Sequence, residues 1–94
     1  MDYELMMDIE KIISTASLKA AVAIVLTRGV ETRVRMAELA ANLKSCISDK
    51  WDEIIDDCAG MSNIADEKHL HAYLSMKSVA IASAAVDQTT GGQR

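Results

Sequence analysis

The sequence predicts an all-α fold: a small three-helix bundle, built as a helical hairpin with a third helix and completed by dimerisation. Three observations lead there. Proline is absent and glycine occurs only at Gly29, Gly60, Gly91 and Gly92, so helix breakers are confined to two internal points and the end of the chain. Apolar residues recur at alternating steps of three and four, the spacing that keeps side chains on one side of a helix. Half of the residues are apolar but aromatics are 3% and Phe is missing, which leaves Leu, Ile, Val, Met and Ala to form a core of closely packed helices. A single domain over residues 1–87 follows, with helices over about 4–27, 30–59 and 63–87.

The first helix begins with Asp2, Glu4 and Asp8, negative charges that suit the positive end of the helix dipole. Its expected stripe is Leu5, Ile9, Ile12 or Ile13, Ala16, Ala20, Ala23 and Leu26. From Leu18 to Leu26 only Lys19 is polar, so this end is expected to be covered on more than one side, by the other helices or by another subunit. Gly29 marks the first boundary. Thr27-Arg28-Gly29 reads as a helix end with a cation at the negative pole, which predicts a short turn and antiparallel neighbours; one helix continuing through Gly29 is the alternative.

The stretch from Val30 to Met61 reads as the long helix around which the rest is organised. Its seam is Met36, Ala40, Leu43, Ile47, Trp51, Ile54, Cys58 and Met61. Arg28, Arg33 and Arg35 stand at its beginning, and Asp49, Asp52, Glu53, Asp56 and Asp57 at its end, an order that opposes its own dipole. A solvated polar face would tolerate this. Antiparallel pairing of two copies, basic start beside acidic end, would compensate it.

Gly60 is expected to end that helix and Asn63 to cap the next, with Asp66 imitating a capping box. On the third helix Leu70, Tyr73, Leu74, Ala80, Ile81, Ala84 and Ala85 share one face, with Lys68, Ser75, Lys77 and Ser78 elsewhere. Met76, Val79 and Val86 depart from that face and form a candidate second contact surface. Residues 88–94 have no apolar anchor and are expected to be a disordered tail.

Charge and cysteine usage narrow the function. A net charge of −4 fits neither a basic nucleic-acid coat nor a strongly acidic nucleic-acid mimic. Cys46 and Cys58, about 18 Å apart along one helix at 1.5 Å per residue, cannot bridge within the chain. Two buried thiols in a reducing cytosol are preferred over an intermolecular bridge. The first residues are acidic where a secretory signal would be basic, and Ala20 to Leu26 is too short to span a bilayer, so a cytoplasmic protein is expected; export without a cleaved signal stays open.

Little chemistry is legible. Asp66 and His69 are spaced like half of a helical acid-x-x-His metal site, but the other half is missing and His71 points to another side. Phosphate loops, serine elbows and paired carboxylates are absent, so neither a cofactor nor catalysis is expected. The function expected is a non-catalytic interaction module, an adaptor, chaperone or inhibitor-like protein that presents a helical surface to itself as a homodimer and to another protein. Trp51, the only tryptophan, is the candidate anchor, with Ile47, Ile54, Met36, Leu43, Met76 and Val79 around it; a core role for Trp51 weighs nearly as much. Arg28, Arg33, Arg35, Asp49, Asp52 and Asp56 are the candidate charged contacts. The alternative is a nucleic-acid-binding regulator using the Arg28, Arg33 and Arg35 patch, disfavoured because Glu31 and Glu38 interleave it and no aromatic residue accompanies it.

Overall fold

Long runs without proline and with well-spaced apolar residues become three α-helices: α1 (Tyr3–Arg28), α2 (Met36–Met61) and α3 (Glu67–Thr90). The computed structural model describes residues 3–29, 34–61 and 67–91, and among these there is no strand. The molecule measures 45 Å by 20 Å by 18 Å. A helix of 26 residues is about 39 Å long, so the three rods lie side by side over their full length.

The polar contacts give their directions. Arg28 at the end of α1 pairs with Asp87 at the end of α3, 2.8 Å apart, so α1 and α3 run the same way. Asn42 near the start of α2 donates to Thr89 Oγ1 at 2.8 Å, and Tyr73 near the start of α3 donates to Asp57 near the end of α2. α2 therefore runs opposite to both.

Gly29 does end α1. Its φ of +64° lies in the left-handed region, and its N–H donates to the Leu26 carbonyl at 3.2 Å. The connection is longer than the short turn expected at Gly29, because α2 starts at Met36, the first residue of the apolar seam, and not near residue 30. Val34 is buried outside any helix, and the Arg35 carbonyl accepts the first helical hydrogen bond, from Leu39 N–H at 2.9 Å. Residues 30–33, Arg33 among them, lie outside the described residues, as do Asp2, Ser62, Asn63 and Asp66 of the expected helix starts.

The other ends also move. α2 continues through Gly60 to Met61, since glycine within a helix costs only about 1 kcal/mol relative to alanine. α3 runs past Asp87 to Thr90, so residues 88–90 are helix and not tail; residues 92–94 lie outside the described residues. Thr89 is the anchor the apolar pattern could not show: it is buried, donates to the Ala85 carbonyl at 2.8 Å and accepts from Asn42.

The organising helix is α3, not α2. It packs on both neighbours, most extensively on α1, whereas α1 and α2 touch each other least. The buried sides of both helices include small residues, Ser17 and Ala21 on α1 and Ser78, Ala82 and Ala85 on α3, beside Ile9, Ile13, Val25, Leu74, Ile81 and Val86. Small side chains let helix axes approach closely. The hydroxyls can be buried because each bonds within its own helix, Ser17 to the Ile13 carbonyl and Ser78 to the Leu74 carbonyl at 2.7 Å.

The buried stripes differ accordingly from the expected ones. On α1 the buried residues are Ile9, Ile13, Ser17, Ala21 and Val25, while Ala23 and Leu26 face solvent. On α3 Val86 and Ser78 are buried and Ala80 and Ala84 are exposed. On α2 the core side is Leu39, Leu43, Cys46, Ile54 and Cys58, so the first half of the expected seam, Met36 and Ala40, lies beside the buried line and not on it.

Two pairs of substitutions test this description. A Cβ at Gly29 or Gly60 would meet nothing within 4 Å, so only backbone preference counts. Gly29→Ala should destabilise by about 1 kcal/mol and Gly60→Ala should stabilise by up to about 1 kcal/mol in urea unfolding. Overpacking the buried side of α3 with Ala82→Leu should cost about 1–3 kcal/mol, whereas Ala84→Leu, two residues on and exposed, should stay within about 0.5 kcal/mol of the parent chain.

Candidate protein interface

Because α1 and α2 both lean on α3 more than on each other, an open trough of about 720 Å³ separates them. Glu10, Ser14 and Leu18 form its α1 wall; Ala40, Leu43, Lys44, Ile47, Ser48, Trp51 and Asp52 form its α2 wall. Leu43 is the buried floor, Ile47 and Trp51 are half-buried, and Leu18 is 43% exposed. Met7, one helical repeat before Ser14, and Met36, one turn before Ala40, are exposed but do not line the trough. Glu10, Lys44 and Asp52 make no ion pair among the described residues. The trough is thus apolar within and charged along its rim.

The structure gathers some of the sequence-predicted interface residues and scatters others. Trp51, Ile47, Leu43 and Asp52 meet in the trough, whereas Met36 is exposed and does not line it. Ile54 is wholly inside the chain, so it belongs to the core and offers no surface. Met76 and Val79, 62% and 55% exposed, sit on α3 and do not line the trough. Asp49 borders a smaller depression of about 260 Å³ between α2 and α3, next to Cys46 and Lys77, and Asp56 is exposed. Arg28 is held by Asp87 and Arg35 is exposed; Arg33 lies outside the described residues. Ser14 and Ser48 were not singled out from the sequence, and Leu18 only as the start of the apolar stretch to Leu26. Leu18 interrupts no pattern, and a serine carries no sign of which helix it will face.

The acidic end of α2 finds compensation within the chain. Tyr73 donates to Asp57; Lys77 pairs with Glu53 at 3.2 Å and lies over the Tyr73 ring at 5.8 Å; Lys50 approaches Glu53 at 3.9 Å. Two of the five acids, Glu53 and Asp57, are therefore met within the chain, while Asp49, Asp52 and Asp56 stay exposed. Both cysteines are free and buried, and burial first, then the nearby Asp49 for Cys46 and Asp57 for Cys58, pushes each thiol above its ordinary value. A thiol so raised is a poor nucleophile. Tyr73 is pushed up strongly, first by burial and then by donating to Asp57.

Nothing known resembles this chain closely. It matches no protein-family model, no curated protein and no solved structure. Its function must be read from the trough. Among the described residues no three His, Cys, Asp or Glu side chains gather to hold a metal; Asp66 of the expected metal pair lies outside them, and His69 and His71 are exposed. No helix over these residues is long and apolar enough to cross a membrane.

The raised groups set a pH dependence. Their neutral forms are favoured in the folded chain, so their stabilisation is complete below the ordinary thiol and phenol values and is lost as pH rises through them toward the raised ones. Thermal melting should therefore move to lower temperature above about pH 9. Tyr73→Phe should cost about 1 kcal/mol at neutral pH and make that alkaline fall shallower. Unaltered steepness would remove Tyr73 as a contributor.

Proposed function

We propose that the chain is a non-catalytic protein-interaction module, acting in the cytoplasm as a homodimer and as a binder of another protein through the α1–α2 trough. The observation that supports this most directly is the trough itself. Leu18, Ala40, Ile47 and Trp51 line an open, elongated depression between two helices, the shape that receives an amphipathic helix. Trp51 is half-buried there, a large ring ready to lose its remaining exposed area to a partner. The groups with displaced proton affinity, Cys46, Cys58 and Tyr73, line none of it. The trough offers apolar contact area with charges at its edge, which suits recognition more than bond chemistry.

The nucleic-acid alternative rests on Arg28, Arg33 and Arg35 and is the weaker reading, because Arg28 is already engaged with Asp87 and the acidic Asp49, Asp52 and Asp56 remain exposed on α2. The buried thiols suit a reducing compartment.

Leu18→Glu places a charge inside the trough on an already exposed position, so the fold should survive while association suffers. Sedimentation of the chain, and capture of its protein partner by the tagged chain, should weaken at least about tenfold with Leu18→Glu and with Trp51→Ala, with helical circular dichroism retained. Val79→Ser on the outside of α3 should change neither. Equal effects of Leu18→Glu and Val79→Ser would remove the trough as the interface.

A further inference from the structure

We propose that the trough is covered by a second copy of the chain, whose α2 lies antiparallel along α2 of the first with Ser48 of each chain at the two-fold axis. The inference rests on the reading of the trough as an interface and adds the occupant and its register. The motivating feature is the pair Lys44 and Asp52 on the trough rim. They stand two turns apart, about 12 Å along the axis, too far to meet within one helix. Neither pairs with any described residue.

In a two-fold contact each surface must complement itself. Set antiparallel about Ser48, each residue is level with the one equally far on the other side of Ser48 in the partner copy. Lys44, one turn before, comes level with the partner copy's Asp52, one turn after, and the symmetry repeats the match. Ala41, exposed and two turns before, comes level with half-buried Ile55, two turns after. Ser45, exposed, comes level with Trp51, so in these two pairs a small residue stands opposite a large one. Ser48 itself is small and exposed, which permits close approach at the axis. A parallel pairing would instead set Lys44 against Lys44, Asp52 against Asp52 and Trp51 against Trp51. Charge and size both select the antiparallel register.

The test is charge reversal in the full chain. Lys44→Asp and Asp52→Lys should each raise the dimer dissociation constant about tenfold in sedimentation, because each puts two like-charged pairs into the interface. The double variant should return to within about threefold of the parent, since the pairs are restored with opposite sense. Ser48→Cys should be joined into a covalent dimer by a short bismaleimide while Ser75→Cys on the exposed face of α3 is not; the buried Cys46 and Cys58 leave a low background. A monomer at every concentration up to about 100 µM, where even micromolar affinity would show, overturns the second copy as occupant and leaves the trough to a different helix. A dimer that Leu18→Glu leaves intact overturns the trough reading itself. A dimer dissolved by Leu18→Glu but indifferent to both charge reversals, and not joined through Ser48→Cys, overturns the antiparallel register alone.

Discussion

The structure depends on the close approach of α1 and α3. Serines can be buried among packed helices only if their hydroxyls need no partner from another helix, and Ser17 and Ser78 do not. Ser17 and Ser78 return their protons to carbonyls one turn back in their own helices, so the core buries oxygen without leaving it unsatisfied. Among the described residues every buried side-chain nitrogen or oxygen has a hydrogen-bond partner.

That approach has a geometric consequence for the third rod. With α1 and α3 drawn together, α2 is held mainly by α3, through contacts that include Asn42–Thr89, Asp57–Tyr73 and Glu53–Lys77. Its side toward α1 is left incompletely covered, and the trough is the result. A short chain buries a modest share of its surface, so the exposed apolar area here is what would otherwise have closed a bundle of three equal contacts. The same α2 contacts engage Glu53 and Asp57 at its acidic end, while Glu10, Lys44 and Asp52 stand on the trough rim without an ion pair among the described residues.

How far the pattern could be read varies by element. The helical class and the break at Gly29 followed from breaker placement and periodicity, and both describe the molecule. The start of α2 did not, because a short turn was expected at Gly29, although the apolar seam itself begins at Met36, where the helix does. The end of α3 was missed because its anchor, Thr89, is polar. Ser17 and Ser78 were missed on the buried faces for the same reason: hydropathy counts a hydroxyl as solvent-facing, and back-bonding to the preceding turn cancels that preference. In the trough, Trp51 and Ile47 were recognisable as large apolar residues on one side of α2, whereas Leu43 and Ile54 carried the same signal and proved to be floor and core.

By itself the sequence determined that the chain forms helices and that aliphatic and small side chains would join them, and it favoured Gly29 as the end of α1, because these follow from local backbone preference and the spacing of apolar residues. Only the tertiary structure decided that α3 lies between its neighbours, that α1 and α2 stand apart, and that Leu18 and Trp51 face the same trough. Those outcomes depend on which residues are small at the point where two particular helices meet. That is a property of pairs distant in the chain, and no local pattern records it.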